Sequence, residues 1–379
     1  MTDAPRELDP AQAHLASLLS FVEQDPHNPL LLVDAAEAAL DAGEPDQTAA
    51  LLDRAAAIRA PGARERNLAG LAALHGRRFD AAAELFEGLL DEGAENPALR
   101  YNLAWSRLMS GDQEGALAVL EQRSGEALPQ AAARDVQLLH TVGRLDEAFE
   151  RGKLYLDVHP DARALAAAMS VLAIDMGDEA LAAACAAKAP GHPDALSTLG
   201  TLALRSDNAT SAEALFEQAL ARNPDVPRAW VGRGLAALLA GKPERAPADI
   251  DRGAEMFGDH LGSWIAAGWA YFVSGDLATA RARFEHALDI DPNFAETHGS
   301  LAVLDALAGD MNSARERATV ALRLDRESFS AALAMTLLTA AAGNPGASQE
   351  IFHRALHTPI DGTNRTIAQS LARMGMDPG

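Results

Sequence analysis

The chain repeats itself every 34 residues. Windows starting at Pro193, Pro227, Leu261 and Ala295 align without a gap. Column 8 then holds Gly200, Gly234, Gly268 and Ala302, and column 20 holds Ala212, Ala246, Ala280 and Ala314. Column 24 holds Phe216, Ile250, Phe284 and Ala318; column 27 holds Ala219, Gly253, Ala287 and Ala321. A fixed period of this length, with small residues in fixed columns, predicts a solenoid of helix pairs. Antiparallel helices whose axes approach to about 8–10 Å need small side chains where they cross, which suits columns 8 and 20. The bulkier columns 4 and 24 are expected to fill the space between neighbouring pairs. Column 15, with Asp207, Gly241, Gly275 and Gly309, is where each first helix stops.

The same ruler extends both ways. Windows from Pro29, Ala63 and Pro97 keep the phase. It slips by two residues near Glu121 to Gln130, where Gly125 and Pro129 interrupt the pattern. Windows follow from Pro129 and Arg163, the second cut short by Pro190. A last one starts at Phe329, with Ser348, Phe352 and Ala355 in its second helix. The expectation is an all-α α-solenoid of ten helix pairs between single capping helices. Residues 1–9 would be a disordered lead and 10–28 an N-terminal cap. The array would run over 29–360 in three phases, 29–128, 129–192 and 193–360, with a C-terminal helix and tail at 361–379.

Composition limits the function classes. A formal net charge of −22 disfavours binding to a phosphate backbone. The single cysteine, Cys185, cannot form an internal disulfide or a cysteine zinc site, and reads as a small buried residue. The N-terminal residues carry no basic segment followed by an apolar run, and no stretch is long and apolar enough for a bilayer. The expected place is the cytoplasm, without membrane insertion.

The columns resemble the tetratricopeptide repeat family. The window from Leu261 carries Trp264, Ala267, Gly268, Tyr271, Ala280, Phe284, Ala287 and Pro292 at the positions that define it. The resemblance covers roughly residues 29 to 360. It implies a right-handed superhelix, a right-handed α-solenoid, whose concave groove is lined by the first helices, largely from columns 2, 5, 9, 12 and 13, and holds a peptide or helix of a partner. Carried over residue by residue, it places Val231, Leu235 and Leu238, then Ile265, Trp269, Phe272 and Val273, in the groove. Val303 and Leu307, then Leu333 and Leu337, continue it. A contiguous apolar strip of this kind marks a binding surface for an amphipathic helix. The bland alternative is tighter packing between repeats. A second candidate patch is Tyr101, Asn102, Trp105 and Met109, which reads equally as an interface or as packing across the joint that follows. No three consecutive windows carry the Lys and Asn pattern with which some members grip acidic chaperone tails. Ser197, Thr201, Gly232, Gly262 and Ala266 stand there in the windows from Pro193.

Three charges depart from the family pattern: Arg233 at column 7, and Arg107 and Asp305 at column 11. Buried charge must be paired or reach water, so internal ion pairs are expected. Pro247 is tolerable only at the start of a second helix. His353 and His357 are four residues apart, but no Glu follows His353 as in HExxH. Neither a phosphate loop nor a carboxylate pair for acid–base work stands out. No catalysis, cofactor or metal is expected. The leading reading is a cytoplasmic, bacterial scaffold or adaptor that binds another protein. A secretion or assembly chaperone, a substrate-delivery subunit of a modifying enzyme, and a homodimer through the groove are the alternatives.

Overall fold

In the computed structural model, residues 9–344 are described, except Glu95 and Pro243. The last second helix (with Ser348, Phe352 and Ala355), the C-terminal cap at 361–379, and His353 and His357 lie outside the described residues. Among the described residues all regular structure is helical, in two compact units that divide between Leu172 and Ala173.

The first unit opens with α1 (Pro10–Gln24), which buries Leu15 and Val22 in a core shared with the first pair, α2 (Pro29–Asp41) and α3 (Pro45–Ala56). The next pairs are α4 (Ala63–His75) with α5 (Phe79–Asp91), and α6 (Pro97–Met109) with α7 (Gln113–Val119). A short α8 (Gln122–Ala127) precedes the pair α9 (Pro129–Thr141) and α10 (Leu145–Val158). α11 (Arg163–Asp175) spans the division, and α12 (Glu179–Lys188) is the short second helix that Pro190 foretells. In the second unit, α13 (Pro193–Arg205) pairs with α14 (Ala209–Arg222), and α15 (Pro227–Leu239) with α16 (Ala246–Phe257). α17 (Leu261–Val273) and α18 (Leu277–Ile290), then α19 (Ala295–Leu307) and α20 (Met311–Leu324), follow, and α21 (Phe329–Ala341) begins the last repeat.

Local chemistry sets these boundaries. Proline opens many first helices, where its missing N–H costs nothing. Asp276 and Asp310 cap α18 and α20 by accepting from the N–H of Thr279 and Ser313. Pro247 sits in the first turn of α16, as required. First helices end in a left-handed residue at column 15, such as Gly275 at φ 88°. Arg77, at φ 58°, takes this conformation without being glycine. A side chain there costs about 1–2 kcal/mol, partly offset by glycine's larger loss of entropy. Arg77→Gly is therefore expected to raise stability by about 0.5–1 kcal/mol, read as a higher melting temperature.

Column 24 presses on column 8 of its own pair. A Cβ added at Gly200 would come within 2.8 Å of Phe216, and one at Gly268 within 2.3 Å of Phe284. The Phe216 ring also lies against Gly232 of the next repeat, 2.2 Å from where a Cβ would stand. Column 24 thus fills the gap between pairs, as expected, and sets the approach within each pair. The column 4 rings do something the period does not announce. Trp230 Nε1 donates to the Pro224 carbonyl at 2.8 Å, and Trp264 Nε1 to that of Gly258 at 2.6 Å. His298 Nε2 stands 2.7 Å from the Pro292 carbonyl. Each ring ties a first helix to the loop that delivers it.

The phase slip has a physical cause. The second helix of the third pair breaks at Leu120 and resumes as α8. Tyr155 stands at column 27 where alanine is usual, and Gly152 at column 24 where a large residue is usual. The Tyr155 ring lies over Gly125, where a Cβ would stand 2.4 Å from Cζ. Its hydroxyl donates to buried Asp135 at 2.6 Å. Gly152 leaves room for Met169.

Candidate interaction face

The second unit carries the apolar strip on α15, α17, α19 and α21. Side chains on this face differ in how far they stand out. Val273 is 57% exposed, Leu307 50% and Leu235 36%, whereas Val303 is 1% exposed. Val231, Leu238, Ile265, Trp269, Phe272, Leu333 and Leu337 are half-buried. Trp269 and Phe272 meet edge to face, with ring centroids 5.1 Å apart, and Trp269 also touches Phe284 at 5.6 Å. Both pack against Leu301, Leu304 and Val303 in two adjoining cores, which Leu333 and Leu337 join from α21. The strip therefore has an open ridge at Leu235, Val273 and Leu307. Its lower layer doubles as packing between repeats.

α19 explains why Val303 is covered. Its residues from Gly299 to Ala306 are all buried, because α21 packs along it as well as its own partner α20. Small residues allow this approach. A Cβ at Gly299 would stand 2.5 Å from the Ala331 backbone nitrogen and 2.7 Å from Ser330 Cβ. Ser330 donates from its backbone N–H to Glu296 at 3.2 Å, and its hydroxyl accepts from that of Ser300 at 3.2 Å. Gly299→Val is expected to cost about 1–3 kcal/mol by overpacking, because the obstacle is backbone and cannot rotate away. Hydrogen exchange would show the loss in α21 before α15.

The three anomalous charges are paired. Arg233 holds Asp249 with two bonds, at 2.7 and 2.6 Å, and with Arg252 it covers the Trp230 ring. Arg107 reaches Glu87 at 2.7 Å and the Gly115 carbonyl at 3.2 Å. Asp305 accepts from Arg281 at 2.6 Å, while Arg317 Nε stands 3.0 Å from its other oxygen, out of line for a hydrogen bond. These are structural pairs.

In the first unit, the second candidate patch divides. Met109 is exposed, while the Trp105 ring lies under the Arg134 guanidinium at 4.3 Å, across the joint on α9. Tyr101 and Asn102 are half-buried. Two small clefts at this joint share Glu121, which pairs with Arg100 and Arg123. Among the described residues, no group of three His, Cys, Asp or Glu could hold a metal. None of their helices is long and apolar enough to cross a membrane.

Family models described as tetratricopeptide repeat match residues 33–97, 73–137, 197–259 and 261–294. The chain belongs to the tetratricopeptide repeat family. No curated protein matches it in sequence. Among solved structures, a monomeric IFIT1 mutant with Gppp-AAAA is 13% identical, with 92% of this chain and 95% of that chain covered and a TM-score of 0.53. The human IFIT1 dimer with m7Gppp-AAAA is 13% identical over 94% and 97% of the two chains, at 0.49. The Cut9–Hcn1 hetero-tetramer of APC/C is 14% identical over 90% and 81%, at 0.46. The first of these likenesses shows the fold, an α-solenoid. The repeats account for the general role of a tetratricopeptide protein, an interaction scaffold.

Proposed function

We propose that this tetratricopeptide repeat protein is a non-catalytic cytoplasmic scaffold or adaptor that holds a segment of another protein against the first helices of its second unit. The observation that carries this reading is the open ridge of Leu235, Val273 and Leu307 above a half-buried aromatic layer. Side chains exposed on one face of successive helices lose water when an amphipathic helix covers them, at about 25 cal/mol per Å². A ligand rich in phosphate is disfavoured. The chain has 54 acidic against 32 basic residues, and Arg233, Arg281 and Arg283 are committed to Asp249, Asp305 and Asp251.

Affinity capture tests the reading. Val273→Ser with Leu307→Ser alters exposed side chains only, so stability should stay within about 0.5 kcal/mol of wild type. The double variant is expected to lose the proteins that wild type retains, at unchanged helix content. Retention of the same proteins at the same strength would show that they bind elsewhere.

A further inference from the structure

We propose that the segment held on this face is a cationic amphipathic helix, lying across the first helices with basic side chains on both flanks of its apolar stripe. This deepens the scaffold reading and rests on it. The floor carries no charge at Val231, Leu235, Leu238, Ile265, Trp269, Phe272, Val273 or Leu307. Its edges are acidic. The loops that lead into α15, α17 and α21 carry Asp225, Asp259, Asp325 and Glu327, all exposed. The turns that follow α17 and α19 carry Asp276 and Asp310, also exposed.

The cations near this face are largely spoken for. Arg228 is held by Asp175 at 2.6 Å, and Lys242 and Arg245 by Glu213 at 3.2 and 3.5 Å. Arg323 and Arg326, both exposed, stand beside Asp325 and Glu327 on the approach to α21. The hydrogen bonds from Thr279 and Ser313 hold Asp276 and Asp310 below the usual carboxylate range, so the edge formed by the turns after α17 and α19 stays charged at neutral pH. An apolar floor between two acidic rims selects a helix with lysine or arginine beside its apolar stripe.

Fluorescence anisotropy with synthetic helices tests this. Two probes share one Leu/Ala face and differ only in flanks of Lys or of Glu. The Lys helix is expected to bind, more weakly as salt rises, and the Glu helix at least tenfold more weakly. Asp225→Asn, Asp259→Asn and Asp325→Asn together are expected to weaken the Lys helix about tenfold, since each exposed pair contributes modestly and the three act together. Equal binding of the two probes, both lost with Val273→Ser/Leu307→Ser, would overturn the cationic inference and leave the groove reading standing. A Lys helix that binds that double variant as well as wild type would be held by diffuse charge, and the cationic inference would fall. Failure of both probes to bind overturns the cationic inference, while the capture experiment decides the groove reading separately.

Discussion

Asp135→Ala is expected to destabilise the first unit by about 3–5 kcal/mol, the range for breaking one side of a buried ion pair. Asp135 is buried on α9 and gathers two groups from α10. The Tyr155 hydroxyl donates to it at 2.6 Å, and Arg151 Nη1 approaches its two oxygens at 3.1 and 3.0 Å. Arg151 also reaches Glu147 at 2.7 Å. Alanine would leave a buried hydroxyl and Arg151 Nη1 without their shared acceptor. Asp135→Asn keeps one acceptor for Tyr155 and should cost less.

Burial pushes the Asp135 carboxyl above its ordinary value, against the pull of Tyr155 and Arg151. The sign follows. A raised folded pKa means this group's contribution to stability is full below pH 3.8, and is lost as pH rises through the raised value. Urea unfolding across that range should show this loss in wild type and not in Asp135→Asn. Replacing the set together, with Asp135→Leu, Arg151→Met and Tyr155→Phe, should recover most of the stability. Hydrogen exchange would place the single-variant loss at α9 and α10, because each repeat is supported mainly by its neighbours.

Trp264→Ala is expected to cost about 3–5 kcal/mol in the second unit, through the cavity it leaves. The indole is buried beside Ala254 and Ala287, and its edge meets His286 at 4.4 Å. It also loses the 2.6 Å bond from Nε1 to the Gly258 carbonyl. Trp264→Phe fills most of the space and lacks only that bond, so about 1 kcal/mol should be lost. Denaturant midpoints for the two variants would separate packing from the hydrogen bond. Equal losses would mean that the tie to the loop outweighs the packing.

The helix pairs were legible because their requirements are local. A left-handed residue at column 15 and small residues at columns 8 and 20 are demands of one hairpin, and they recur with it. The candidate face was legible only in part. The columns of the first helices bring Leu235, Val273 and Leu307 to one side, and the structure leaves them exposed. Val303 occupies an equivalent column and is buried, because α21 closes on α19 at Gly299 and Ser330. The hint was present in the small residues of both helices, yet small residues also mark crossings within a pair.

By itself the sequence determined the period, the helix boundaries, the family and the apolar character of the first helices in the second unit. These follow from spacing and side-chain size, which act within one hairpin. Tertiary structure decided which apolar residues face water, which partners neutralise Arg233 and Asp305, and how Tyr155 reaches over Gly125 to Asp135. Those outcomes depend on how the two helices of a pair cross and on how each repeat is rotated against the next. Both are set by contacts between residues some 16 to 34 positions apart, as in Arg233 with Asp249 inside one pair or Glu296 with Ser330 between repeats, rather than by any one stretch of chain.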